Sequence, residues 1–259
     1  MPFRTLSSEE VAVYLHVGRR EVDHWVRAGE IPHETRGGRV VFQRAEIDAW
    51  ASQRILALPG RRLAEYHKGS TEGAREFVAD DALMPVLIQA EYIRTVLEGK
   101  TKRSVIDDMV NLAEQTDRVN DVAELLESVC EREELCPTAL PGGMALLHCR
   151  NHDPYRFDGS FLVLGRSMQG IPFGAPDGRA TRFFFLLCSE EEQLHLHMLA
   201  RLCLMAQATN MLERLHASAS AEEMYQAIIE SELAALAGRR FLKKVDGDGE
   251  PMPEDAGAS

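Results

Sequence analysis

A chain of 259 residues with 45% apolar side chains can build one large core or two ordinary ones, and no run in it approaches the roughly 18 to 20 consecutive apolar residues of a membrane helix. A formal charge of −12 excludes a protein that grips nucleic acid along its whole length and leaves room for one local basic face. Five cysteines without a CxxC spacing fit reduced, buried thiols, and the start MPFRTLSSEE lacks the apolar stretch of a secretory leader, so a cytoplasmic location is expected.

The first elements are closely spaced. After the polar start Ser7-Ser8-Glu9-Glu10, Val11 to Leu15 is apolar-periodic, His16-Val17-Gly18 breaks the pattern, and Arg19 to Ala28 resumes it. Two short helices about a glycine-containing turn predict a helix-turn-helix. Gly29-Glu30-Ile31-Pro32 stops the second helix, and HETRGGRVVFQ sets Gly37-Gly38 between extended residues, which predicts a β-hairpin wing. Arg44 to Ala51 returns as a third helix with Ile47 and Trp50 inward, while Val22, Trp25 and Val26 take core positions on the second.

The stretch LSSEEVAVYLHVGRREVDHWVRAGEIPHETRGGRVVFQRAEIDAWA resembles the small winged helix-turn-helix of the excisionase and MerR-like families, in the order helix, turn, helix, G-x-I-P, wing, helix. The resemblance implies a DNA-binding domain over residues 1–55 whose second helix enters the major groove. Arg19, Arg20, His24 and Arg27 would then lie on the groove side, and Arg36 and Arg39 on the wing. Residues 1–54 carry eight Arg against eight Asp plus Glu, so binding requires charges segregated by face or a homodimer that doubles the footprint. The competing reading is a partner-docking or dimerising module.

Residues 56–82 mix Pro, Gly, Ser and charge without a sustained period and read as a linker with one short helix. From Met84 the pattern turns helical through VLIQAEYIRTVLEG, KTKRSVIDDMVNLAEQTDRV and NDVAELLESVCEREE. In PGGMALLHCRNHDP a short apolar run, Met144 to Leu147, follows a glycine pair and reads as a buried strand that delivers His148 to the edge of a sheet. An imidazole there can move a proton, bind a metal or accept a phosphoryl group, and position alone does not choose among these. SFLVLGRS and ATRFFFLLCS read as strands about the turn segment GIPFGAPDGR, and helices over Glu191 to Leu215 and Ala221 to Ala237 complete an α/β domain placed at 83–240. Residues 241–259 end in DGDGEPMPEDAGAS and read as an acidic disordered tail.

Met84 to Glu232 resembles the enzyme IIA domain of the bacterial phosphoenolpyruvate-dependent sugar phosphotransferase system, in its fructose/mannitol and nitrogen-regulatory class. The resemblance rests on LLESVCEREELCPTALPGGMALLHCR, IPFGAPDGRATRFFFLLCS and HLHMLARLCLMA in the family's order. It implies a mixed β-sheet flanked by helices and a histidine that accepts a phosphoryl group from the histidine-containing phosphocarrier protein. His148 stands at that position, and His195 matches the second histidine that supports it. Arg150 fits the family's frequent His-x-Arg and is expected to pair with phosphate, and Thr138 is expected either to donate to phosphate or to hold the turn before the strand. Leu147 and Cys149 depart from the family's usual Pro before the histidine and frequent Gly or Ala after it.

A metal is the rival use of these histidines. His148 and His152 lie four apart across a strand end and loop, and His195 and His197, two apart on a helix, diverge, so no metal site is expected. His152, His197 and His216 are assigned to surface or packing, Cys149 is the thiol placed nearest reactivity, and the absence of a GxGxxG or GKS/T pattern argues against a nucleotide cofactor. The expected protein is a transcriptional regulator whose partners are DNA and the phosphocarrier. The alternatives are a phosphocarrier enzyme that uses its N-terminal module for docking, and an interaction protein without phosphorylation.

Overall fold

The computed structural model describes the backbone of residues 5–74, 82–151, 153 and 155–247, and the side chains of all these but 71–74 and 238–247. Strand β1 (Thr5–Leu6) leads into α1 (Ser8–Tyr14), which starts where Ser7 and Glu10 close a reciprocal cap: Glu10 N donates to Ser7 Oγ at 3.3 Å and Ser7 N to Glu10 Oε2 at 2.8 Å. Helix α2 (Arg19–Ala28) ends at Gly29 in the left-handed conformation, φ 67°. Strands β2 (Glu34–Arg36) and β3 (Arg39–Gln43) turn through Gly37 and Gly38, both with positive φ, the backbone a two-residue hairpin requires. The order β1-β3-β2 makes the winged sheet, closed by Leu6, Val11, Val22, Trp25, Phe42 and Ile47.

Helix α3 (Arg44–Ala57) runs past the expected end at Ala51, because Ile47, Ala51 and Ile55 extend one buried stripe until Leu58-Pro59 breaks it. The stretch 56–82, expected as a linker with one short helix, holds the 15-residue α4 (Gly60–Ala74). Its inward stripe is Leu63, His67 and Ser70, mostly polar, so apolar periodicity does not report it.

The helix expected over Val86 to Gly99 is replaced by α5 (Met84–Leu87), a 3-10 turn at Ala90–Tyr92 and β4 (Ile93–Arg94). Pro85 opens the first short piece, and Ile93 pairs in parallel with Leu164, so the apolar spacing came from consecutive pieces that face one core. Helices α6 (Lys102–Glu114) and α7 (Val122–Leu135) start at the caps Thr101 and Asp121. Then come β5 (Ala139–Leu140), β6 (Met144–His148), β7 (Phe161–Ile171), β8 (Thr181–Cys188), α8 (Glu192–Ala208), α9 (Met211–Ala217) and α10 (Ala221–Gly247). The single helix expected over Glu191 to Leu215 is divided at Thr209-Asn210. Of the expected tail, residues 241–247 belong to α10 and 248–259 lie outside the described residues.

The second sheet is mixed, in the order β4-β7-β8-β6-β5, with β6 parallel to β8 and β7 antiparallel to it. Both faces are buried, and side chains alternate between them. Leu146, Leu164, Phe185 and Leu187 join a core shared with α8 and the N-terminal module, whereas Leu147, Val163, Phe184 and Leu186 join one shared with α6 and α7. Among the described residues no helix is long and apolar enough to cross a membrane.

A buried polar cluster fastens α4 to this body. Arg201 on α8, 0% exposed, pairs with Glu232 of α10 and donates Nε–H to His67 Nε2 at 2.6 Å. Glu232 also accepts from the amides of Leu83 and Met84 at 2.8 and 2.9 Å, and Ser70 Oγ meets His197 Nδ1 at 2.8 Å. Removing one partner leaves a buried charge uncompensated. Glu232→Ala is expected to lower unfolding free energy by about 3–5 kcal/mol, read by chemical denaturation.

Candidate functional site

Strand β6 has period two, so His148, two residues beyond Leu146, falls on the α8 face of the sheet at the strand's end. It is 2% exposed. Its Nδ1 lies 2.8 Å from the Leu146 carbonyl, which only accepts, so Nδ1 carries the proton and Nε2 keeps a lone pair. Arg132 Nε–H donates to that lone pair at 3.0 Å. The His195 ring, in the first turn of α8, sits 4.9 Å away, centroid to centroid.

Burial holds the His148 pKa well below its ordinary 6.5, and the Arg132 charge and His195 push the same way, so the ring is neutral at physiological pH. The unfolded chain takes a proton near 6.5 and the folded site does not, so this group withdraws stability as pH falls below 6.5.

Arg132 is buried on α7, where it follows Leu125, Ser128 and Val129 on the inward stripe. Its Nη1 donates to the Cys136 carbonyl at 2.9 Å, and its Nη2, like Arg156 Nε, is a buried donor without a hydrogen-bond partner among the described residues. Both arginines line a cavity of about 30 Å³ beside His148, together with Arg150 and His195. Neutral nucleophilic nitrogen and unsatisfied cationic donors in one cavity suit a group that brings anionic oxygens to Nε2. The sequence reading did not single out Arg132 or Arg156; an arginine at an apolar-stripe position of α7 was the available signal for the first.

The other expected residues divide. Arg150 reaches the cavity and pairs with Glu131 at 3.2 Å. Thr138 is not among the cavity-lining residues: fully buried, it donates from its hydroxyl and amide to Glu133 at 2.6 and 3.0 Å, and Glu133 accepts from Lys102 at 2.7 Å. It braces the end of α7 next to Arg132. His197 turns to α4, opposite His195, and His216 packs edge-on to Phe183 at 6.5 Å; His152 lies outside the described residues. Burial pushes the Cys149 thiol up, as it does Cys188 and Cys203, which leaves these cysteines protonated and unreactive.

On the N-terminal module Arg20, His24 and Arg39 are exposed. Arg19 pairs with Glu9 and with Asp23 at 2.9 Å, Arg27 donates to the Asp23 carbonyl at 3.1 Å, and Arg36 pairs with Glu34 at 2.7 Å. The acids that make the module neutral are thus interleaved with its basic face.

Two family models match the chain. One, described as phosphoenolpyruvate-dependent sugar phosphotransferase system, EIIA 2, covers residues 86–231, more than half of the 259 residues, and the other, a helix-turn-helix domain, covers 5–55. The chain is 27% identical over 118 residues to the PTS system fructose-specific EIIABC component of Bacillus subtilis, across 45% of this chain and 18% of that protein. It is 26% identical over 134 residues to a nitrogen regulatory protein of Pseudomonas aeruginosa, across 51% of this chain and 85% of the relative. Coverage of the first relative is therefore less than a fifth of its length. Among solved structures, nitrogen regulatory protein IIA-Ntr from Neisseria meningitidis aligns with a TM-score of 0.51 at 24% identity, over 56% of this chain and 99% of that one, a likeness of fold.

Replacing Arg132 by Met keeps apolar bulk beside His148 and removes the neighbouring positive charge. In Arg132→Met the His148 ring should titrate at higher pH than in the parent protein, followed by ring-nitrogen NMR; an unchanged or lower value would count against this electrostatic account.

Proposed function

The chain belongs to the phosphoenolpyruvate-dependent sugar phosphotransferase system EIIA 2 family, and on that premise we propose that it is a DNA-binding transcriptional regulator whose state is set by phosphorylation of His148. The observation that carries this reading is the neutral, Nδ1-protonated His148 with its Nε2 lone pair held among arginine donors. The phosphoryl donor is the phosphohistidine of the system's phosphocarrier. Nε2 attacks phosphorus, the donor's P–N bond breaks, and a donor ring protonated on its far nitrogen leaves as neutral imidazole. The new phosphohistidine keeps its Nδ1 proton, and the Leu146 carbonyl accepts that charge-bearing N–H. Arg132 Nε–H gives up the lone pair, and its spare Nη2–H turns to a phosphoryl oxygen.

DNA recognition falls to α2 and the β2–β3 wing. Arg20 and Arg39 are the strongest candidates for contact, because Arg19 and Arg36 already share their charge with acids. The module's formal neutrality predicts weak, strongly salt-sensitive binding by a single copy and favours a homodimer on DNA.

Incubation with phosphoenolpyruvate, enzyme I and the phosphocarrier should place acid-labile, base-stable phosphate on the protein and none on His148→Ala. Absence of label with several carriers would overturn the phosphorylation. Onward transfer to a sugar-permease component would instead make the chain a carrier. Anisotropy on genomic fragments should show that Arg20→Ala and Arg39→Ala each weaken binding and reduce the salt slope by about 1; no binding even at low salt would overturn DNA recognition.

A further inference from the structure

We infer, taking His148 as the phosphoacceptor, that the mouth of this site is a docking surface for the chain's own helix-turn-helix module, so that the module and an incoming phosphocarrier exclude one another. Tyr14 of α1 and Asp48, Ala49 and Ser52 of α3 form one wall of the His148 cavity. The opposite wall comes from β6, the loop after it and the start of α8. A cavity of about 30 Å³ holds one or two waters and excludes a second protein's phosphohistidine, and His148 is only 2% exposed beneath the module. Phosphoryl transfer needs the two imidazoles in line across one phosphorus, so the module must leave first.

The latch is an ion pair. Arg44, the first residue of α3, pairs with Glu192, the first residue of α8, one turn before His195. Arg44 also lies over the Tyr14 ring at 4.3 Å and 3.8 Å from Asp48, so one guanidinium ties the two lid helices to the enzyme-like body. The hinge is Leu58-Pro59 between α3 and α4: extended at Leu58, with proline fixing the next residue. Below it α4 is held by Arg201, and beside it a cleft of about 610 Å³ separates α2 and α3 from α4. Residues 5–57 can therefore rotate as a unit while α4 stays, at the cost of uncovering the side of α8 on which α3 packs.

Charge makes the lid responsive. Arg132, Arg150 and Arg156 lie on the body side of the cavity together with Asp153 and Glu192, and the lid adds the carboxylate of Asp48. A phosphoryl group adds about two negative charges, which the body's arginines hold and the lid's aspartate opposes. Phosphorylation and docking are linked with opposite sign, so each lowers the affinity for the other.

The test uses the full chain, with access to His148 read by carbethoxylation and mass spectrometry, independently of phosphorylation. Arg44→Glu sets two carboxylates against each other, and Arg44→Glu/Glu192→Arg restores an opposite pair. Modification of His148, and its labelling by the phosphorylated carrier, should rise about tenfold in the single variant and return toward the parent rate in the double. Circular dichroism of each variant separates this from unfolding, and fully phosphorylated parent protein should have a larger radius of gyration by solution scattering. Equal carbethoxylation in folded parent and Arg44→Glu would overturn the lid, as would an unchanged radius on full phosphorylation. If carbethoxylation follows the latch but no variant accepts phosphate, the lid stands and the phosphoacceptor reading falls.

Discussion

From Leu194 to Met205 every residue of α8 but His195 is buried, and the rest of the architecture answers to that. A helix with no wet face must be covered on all sides, which no single sheet does. Strand β8, α9 and α10 cover part of it, and α3 and α4 cover the remainder. Its polar side chains consequently have fixed partners: Arg201 takes Glu232 and His67, His197 takes Ser70, and His195 is left facing His148. The same helix that brings His195 to His148 also seats the N-terminal module.

What could be read from the sequence was what local chemistry dictates. Gly29 and the Gly37-Gly38 pair specify backbone that few other residues adopt, so the second helix and the wing were legible in the sequence. The runs in β6 and β8 are continuous because both sheet faces are buried, and His148 followed from the end of one run. Helix α4 was expected only as one short helix in a linker because, beyond Leu63, its inward positions are histidine and serine, whose burial depends on Arg201 and His197 far along the chain. Arg132 was missed for the converse reason: a charged residue on α7 reads as solvated until its stripe is seen to face the sheet end. Nothing in Tyr14 or Asp48 taken locally announces a place beside His148.

The electrostatics of the site turn on a mismatch. A buried guanidinium donates to a buried imidazole, an arrangement that tolerates the neutral ring and penalises a second cation. An anionic group on Nε2 reverses the sign, since the same guanidinium then faces opposite charge and its idle Nη2–H acquires an acceptor. Leu147, with an amide to give, sits in the β6–β8 register opposite Leu186, which continues the paired strand up to His148.

Residues 60–70 of α4 fall outside both segments that the family models match, 5–55 and 86–231. Yet they supply His67 and Ser70 to the interior of the larger part. The matched segment is therefore smaller than the unit that packs together. A graft of a different helix-turn-helix head onto residue 86 would strip α3 and α4 from α8 and take His67 from Arg201, whereas a graft at Pro59 would keep α4 and His67 and leave only α3's share of α8 to be replaced. The segment between the two matched stretches is a structural part of the larger one, so a head exchanged at Pro59 disturbs less of its interior than one exchanged at residue 86.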